Sequence, residues 1–289
     1  MANSIALAKA YTNLLDEVYK TASVTNDLTS DASLVRAGAN ANEILYPQID
    51  VSGLGDYDRN SGYTDGSVSV VWRTATFNYD RGTKISVDSM DDEETFGIAF
   101  GQAASELMRT KVAPEADAFT FATLAGVEGI STTTGTYADA SEFLAALIAA
   151  KNQMDEDEVP EENRILYATP TLINGVMGLD TTKSREILNT FAAVKKVPQS
   201  RFYTAIDLLD GKTSGEEAGH YQKADTGANI NFMIIHKPCL MKWDKHAVSS
   251  IIAPDNNPDS DSYIVKYRKY GIVDVLANKV AGIYLSYQA

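Results

Sequence analysis

Three histidines and one cysteine are the side chains of this chain best suited to chemistry at neutral pH. His220, His236 and His246 have ordinary pKa values near neutrality, and Cys239 supplies a thiol. None of them sits in a recognisable nucleophile or base motif. His236, Cys239 and His246 lie near enough in sequence to suggest a three-ligand metal centre, but their irregular spacing on a strand and turn favours structural roles. Asp155, Glu156, Asp157, Glu158, Glu161 and Glu162 offer oxygen ligands without the alternating ligand and glycine pattern of a calcium loop, so they read as a solvated loop. Gly211-Lys212-Thr213 matches the end of a phosphate-binding loop, yet Ile206 stands where the first glycine is required. The stretch from Asp255 to Asp261, rich in carboxylates and amides around Pro258, reads as a tight turn. These patterns name no catalytic residue, no cofactor site and no metal site.

Composition narrows the class further. A chain of 289 residues with 44% apolar content can bury one large core or two modest ones. A single cysteine permits no intrachain disulfide and no four-cysteine zinc site. No run of about eighteen apolar residues suggests a membrane helix, and the first residues lack a secretory pattern, which fits use in a cytoplasm. The net charge of −14 repels phosphate and argues against a protein whose work is gripping nucleic acid.

The elements that would position these residues follow from periodicity. Residues 1–48 carry one amphipathic stretch, Ile5 to Tyr19 with Leu7, Leu14, Leu15 and Val18, and then no period, which predicts a short helix and an extended arm. Over 49–87 the pattern shifts to period two, as in Val68-Ser-Val70, punctuated by Gly53, Gly55, Gly62 and Gly66. This predicts a long two-stranded hairpin that needs a partner surface.

Residues 88–126 read as one long helix. Ser89 or Asp91 would cap it, Asp91 to Glu94 complement its dipole, and Phe96, Phe100, Ala103 and Leu107 form one apolar face. Pro114 either kinks it or opens a second helix that Gly126 closes, and from Asp91 to Ala125 it would span roughly 50 Å. Over 127–245, helices at Ala138 to Met154 and Pro170 to Met177 alternate with strands at Arg164 to Ala168 and Ile230 to His236, around a polar loop from Asp210 to Gly227. Residues 246–289 supply three strands, Ile264 to Tyr267, Ile272 to Leu276 and Ala281 to Leu285, expected to form a sheet against the long helix. The class is therefore α+β.

Three stretches, in this order, carry a family resemblance. They are Gly53-Leu-Gly-Asp-Tyr57-Asp-Arg59-Asn through Gly62-Tyr63 and Trp72; Ile85 to Glu94 with Arg109 to Phe121; and Ile251 to Asp261 with Lys266 to Tyr270. Together they resemble the major capsid proteins of tailed phages and prophages of Gram-positive bacteria, which have the Hong Kong 97-type fold. The resemblance runs from about residue 49 to the end. It implies an amino-terminal arm at 1–48, an extended loop at 49–87, a spine helix of the peripheral domain at 88–126, an axial α/β domain at 127–245 and peripheral strands at 246–289.

The resemblance further implies hexamers and pentamers that close an icosahedral head around double-stranded DNA, assembled in the bacterial cytoplasm, with a portal and an optional decoration protein as partners. Interface residues would include Tyr57, Arg59 and Trp72 on the loop and Glu94, Arg109 and Asp117 on the spine. Some members weld subunits through a loop lysine, but no lysine occurs from Ile49 to Thr83, and Arg59, Arg73 and Arg81 stay protonated, so no such cross-link is expected. Fewer than fifty residues precede the loop, which predicts a separate scaffolding protein. The rival readings are an encapsulin-type compartment enclosing cargo enzymes and, from another class, an acidic α/β enzyme for which the residues name no site.

Overall fold

The structure, a computed structural model, describes residues 22–30, 36–37, 40, 42–60, 62–94, 104–179 and 182–288. The amphipathic stretch Ile5 to Tyr19 and the positions Phe96, Phe100 and Ala103 lie outside the described residues. In chain order the strands are β1 (Arg36–Ala37), β2 (Glu43–Val51), β3 (Val68–Thr76) and β4 (Tyr79–Asp88), followed by helices α1 (Ser89–Glu94) and α2 (Ala113–Ala125). Next come β5 (Ser131–Thr134), α3 (Ala140–Glu156), β6 (Arg164–Ala168), α4 (Pro170–Gly178), α5 (Thr182–Asn189), β7 (Ala193–Lys196), β8 (Ile206–Leu208) and β9 (Tyr221–Lys223). The chain ends with β10 (Ile230–His236), β11 (Leu240–Ile252), β12 (Ser262–Val275) and β13 (Ile283–Tyr287).

A five-stranded sheet of order β5-β13-β10-β6-β7 forms the larger core. Its central strands β10 and β6 are buried along their whole length, because both faces are covered. On one face Tyr167, Met233, Ile235 and Leu285 meet Phe121 and Leu124 of α2. On the other, Leu166, Phe232, Ile234 and Tyr284 meet Phe143, Leu147, Ile173 and Val176 of α3 and α4. Helix α3 starts where the Asp139 carboxylate accepts from the amides of Ser141 and Glu142, and α4 starts on Pro170, whose missing N–H costs nothing at that position.

A second sheet, β11-β12-β4, joins strands far apart in the sequence, with Tyr79 opposite Gly271 and Asp88 opposite Ser262. It packs on the other end of the central helix through Val265 against Met108, Val112 and Ala116. Gly271 is required there, since a Cβ would lie 2.9 Å from the Trp243 carbonyl oxygen at the bulge in β11.

The central helix closes at Gly126 as expected but differs from its expected form along its course and at its start. Residues 104–107 are helical, Met108–Val112 widen into a π turn, and α2 continues from Ala113. Pro114 supplies no N–H, and the π turn immediately before it takes up the irregularity, so the helix passes the proline. Gly126 ends it in ordinary helical backbone (φ −83). Most of the α2 surface is buried, Glu115 and Asp117 included. At α1 the capping acceptor is Asp88, which takes the Met90 amide at 2.9 Å, in place of Ser89 or Asp91.

Strand pairing also corrects the expected segments. The hairpin joins β2 to β3, from Glu43–Thr76 to Val51–Val68, while β4 leaves it for the second sheet. The strands expected at Ile264 to Tyr267 and Ile272 to Leu276 are one strand, β12. The last, β13, lies between β10 and β5 in the other sheet, where its apolar side chains are covered on both faces.

Candidate inter-subunit interface

Directly opposed residues of an antiparallel pair share a face. Pro47 opposes Trp72, Ile49 opposes Val70 and Val51 opposes Val68, which makes one continuous apolar strip. The reverse face pairs Tyr46 with Arg73, Gln48 with Val71 and Asp50 with Ser69, and Arg73 Nε donates to Gln48 Oε1 at 3.0 Å. At the root of the ribbon Ile44 and Ala75 are buried against Met241 and Ile272. Beyond the root the strip is open, with Ile49 60%, Val68 68% and Trp72 43% exposed. Counted from Ala75 to Val68, the ribbon projects about 24 Å at about 3.4 Å per residue. A two-stranded ribbon with a bare apolar face is marginal in water and calls for a partner.

The tip, residues 52–67, turns back on itself. Asp58 and Gly62 exchange backbone hydrogen bonds of 3.2 and 2.7 Å around a turn in which Gly62 takes φ +81, and the Tyr57 and Tyr63 rings meet at 4.8 Å. Arg59 sits exposed in that turn. On the helix, Arg109 pairs with Glu106 at 2.8 Å with both side chains more than half exposed, a solvated pair of small energetic weight. The Glu94 side chain lies outside what the structure describes.

Asp117 corrects the expectation made for it. It is 0% exposed within a single copy, and its carboxylate accepts from Ser23 Oγ (2.7 Å), Val24 N (3.0 Å), Thr25 N (3.1 Å), Thr25 Oγ1 (2.7 Å) and Arg201 Nη1 (3.1 Å). A buried carboxylate needs such donors, and here they bind residues 22–30 to the helix. Lys242 completes the clamp by donating to Thr25 O (2.8 Å) and Thr25 Oγ1 (2.7 Å); complete burial pushes its pKa down to about 7.

A second polar node joins α2, β4 and the loop between β8 and β9. Glu115 Oε1 accepts from Arg81 Nε at 2.7 Å and from the Tyr79 hydroxyl at 3.3 Å, and His220 Nδ1 lies 3.5 Å from Glu115 Oε2. Burial by itself would raise the Glu115 pKa, but His220 and Arg81 hold it below the ordinary value. Arg81 Nη2 also donates to the carbonyls of Leu209 (2.8 Å) and His220 (3.2 Å), gripping both ends of that loop. A cleft of about 530 Å³ opens beside this node, walled by β4, the π turn and the loop.

The other sequence candidates for chemistry are placed apart or are already satisfied. His246 stands six positions beyond Leu240 on β11, about 20 Å along an extended chain from Cys239. The Cys239 thiol is buried and pushed up to about 12. Among the described residues no group of three or more His, Cys, Asp or Glu side chains is placed to hold a metal ion, and no helix is long and apolar enough to cross a membrane. In the acidic run, Asp155 pairs with Arg164 and Glu161 with Lys151, both at 2.7 Å. Asp210 accepts the Lys212 and Thr213 amides at 2.7 and 2.8 Å, so a carboxylate fills the place a phosphate would take.

The projecting hairpin, the long buried helix, the sheet closed by distant strands and the separate mixed sheet define the class: this is the Hong Kong 97-type capsid fold. Solved structures bear this out over nearly the full chain. The chain is similar to the "virus-like particle from Pyrococcus furiosus" (TM-score 0.59, 9% identity, 97% of this chain and 99% of that one). It is likewise similar to a chain of "Mycobacterium phage Che8" (TM-score 0.58, 12% identity, 91% and 90%) and to the "Capsid structure of the Cyanophage P-SCSP1u" (TM-score 0.57, 14% identity, 93% and 88%). No family model and no curated protein matches the sequence.

Proposed function

We propose that this chain is a major capsid protein of a tailed phage or prophage, which assembles as hexamers and pentamers into an icosahedral head enclosing double-stranded DNA. The observation that carries the reading is the bare apolar strip of the hairpin on a capsid fold, a surface that a single copy leaves uncovered. The net charge of −14 suits a shell that contains DNA without gripping it. Its work is geometric, with no catalytic residue and no cofactor. Contacts to neighbouring copies run through Tyr57, Arg59 and Trp72 on the hairpin and through Glu94 and Arg109 near the central helix; Asp117 supports them from inside. A scaffolding protein, a portal and, optionally, a decoration protein are the remaining partners.

In this reading the five chain segments take arm (1–48), loop (49–87), spine (88–126), axial (127–245) and peripheral (246–289) roles; the pairing of β4 with β12 and of β13 with β10 supports counting β4 with the peripheral sheet and β13 with the axial one. Subunits hold together without lysine cross-links, because no lysine occurs in β2, β3 or the loop between them. An encapsulin-type compartment is less favoured, since the solved structures of like fold are mainly those of phages. Electron microscopy of the purified protein, alone and co-expressed with its neighbouring upstream gene, tests the reading. Closed shells on the order of tens of nanometres across are expected. Dispersed monomers or dimers in both preparations would overturn it.

A further inference from the structure

Two Asp-Gly pairs, Asp65-Gly66 and Asp210-Gly211, and one Asn-Gly pair, Asn174-Gly175, occur in the chain. At such a pair the amide nitrogen of the glycine, whose residue has no Cβ to obstruct it, can attack the side-chain carbonyl carbon of the residue before it. The attack closes a five-membered succinimide and expels water from an aspartate or ammonia from an asparagine. Water then reopens the ring, and opening at the original backbone carbonyl leaves isoaspartate, whose main chain runs through Cγ. For aspartate no atom is gained or lost overall. Local structure decides which pair can reach the ring geometry.

The fold restrains two of the three pairs. Asn174 lies inside α4, where helical backbone fixes its main chain, and its Oδ1 accepts from Lys196 Nζ at 2.6 Å. Asp210 accepts from the amides of Thr213 (2.8 Å) and Lys212 (2.7 Å) and from the Thr213 hydroxyl (2.7 Å), so its carboxylate is committed to the two residues beyond Gly211. Those donors also hold its pKa down to about 2, whereas the reaction proceeds from a protonated carboxyl whose hydroxyl leaves as water. Asp65 has neither restraint. It stands exposed in the tip, and neither its carboxylate nor the Gly66 amide makes a hydrogen bond or ion pair with the described residues. We infer that Asp65 is a site of spontaneous isoaspartate formation in the folded chain, through attack of the Gly66 nitrogen on its Cγ. The product adds a methylene to the main chain of the tip that carries Tyr57 and Arg59. It forms whether or not the chain builds shells.

The test uses the full chain, held for several weeks at neutral pH and shown by circular dichroism to stay folded. Electron-transfer fragmentation in a mass spectrometer locates isoaspartate, and an isoaspartyl methyltransferase counts it. The product should build up at least about tenfold faster at Asp65 than at Asp210, because a carboxylate tied elsewhere seldom reaches the attack geometry. Asp65→Glu, which keeps the charge but would need a larger ring, should remove the fast site. In urea the donors to Asp210 are lost, and the two Asp-Gly pairs should then react at comparable rates. Equal rates at both pairs in the folded chain, no product at Asp65, or a preference for Asp65 that persists unchanged in urea would overturn the inference.

Discussion

Asp117 accepts five hydrogen bonds in a site closed to water, and its loss would leave the donors of Ser23, Val24 and Thr25 without that acceptor and Arg201 Nη1 with the Ala22 carbonyl. Asp117→Ala is expected to lower stability by about 3 kcal/mol in urea unfolding, since several donors left without their acceptor in a buried site cost more than a surface pair is worth. Lys242 sets a pH dependence of definite sign. Its folded-state pKa of about 7 lies below the ordinary 10.5, so between those values the unfolded chain binds more protons and stability rises with pH. The rise should approach about 1 kcal/mol per pH unit. Above about pH 9 the Cys239 thiol, raised to about 12 by burial, opposes it. Urea unfolding at pH 7 and pH 9 should show the increase in the wild type and little of it in Lys242→Met; equal slopes would mean that another group sets the dependence.

At the scale of elements, the hairpin and the central helix have opposite designs. The helix is buried almost all round and holds the two larger sheets, whereas the ribbon is anchored at its root, where Ile44 and Ala75 are buried and Tyr46 packs beside them. Substitutions along the strip therefore separate folding from association. Ile49→Ser with Val70→Ser should change the stability of the single chain by no more than about 0.5 kcal/mol and yet abolish large particles in light scattering. A large loss of monomer stability would show that the strip packs on its own chain. Arg81 joins β4, the helix and the loop from Leu209 to His220. Arg81→Met should cost about 2 kcal/mol and speed hydrogen exchange at the Leu209 amide, which bonds the His220 carbonyl at 2.9 Å.

For the whole molecule, charge and the absence of a loop lysine make the predictions. Self-repulsion at −14 is screened as the Debye length falls from about 30 Å at 0.01 M salt to about 8 Å at 0.15 M, so the concentration needed for assembly should drop over that range. Light scattering against salt measures this directly. Mature particles should run as single chains on a denaturing gel, because no lysine occurs in the ribbon or its tip and Lys84 lies in β4, opposite Lys266 of β12. A covalent ladder would refute this.

Local pattern determined the short-range features of this protein. The helices from Ala140 and Pro170, the strands at Arg164 and Ile230, the hairpin signal at Val68-Ser-Val70 and the want of a catalytic motif all follow from neighbouring residues. So does the resemblance at 53–63, 85–121 and 251–270. Tertiary structure decided which strands meet. The period-two signal is the same on both sides of Asn78, and only the anchoring of Ile44 and Ala75 on Met241 and Ile272 gives β3 to β2 and leaves β4 to β12. Likewise β13 reads as any apolar strand, and it is the slot between β10 and β5 that places it. Asp117 looks like a surface residue until Ser23, Thr25 and Arg201 converge on it. Each of these outcomes depends on partners tens to hundreds of residues away, and periodicity carries no information about them.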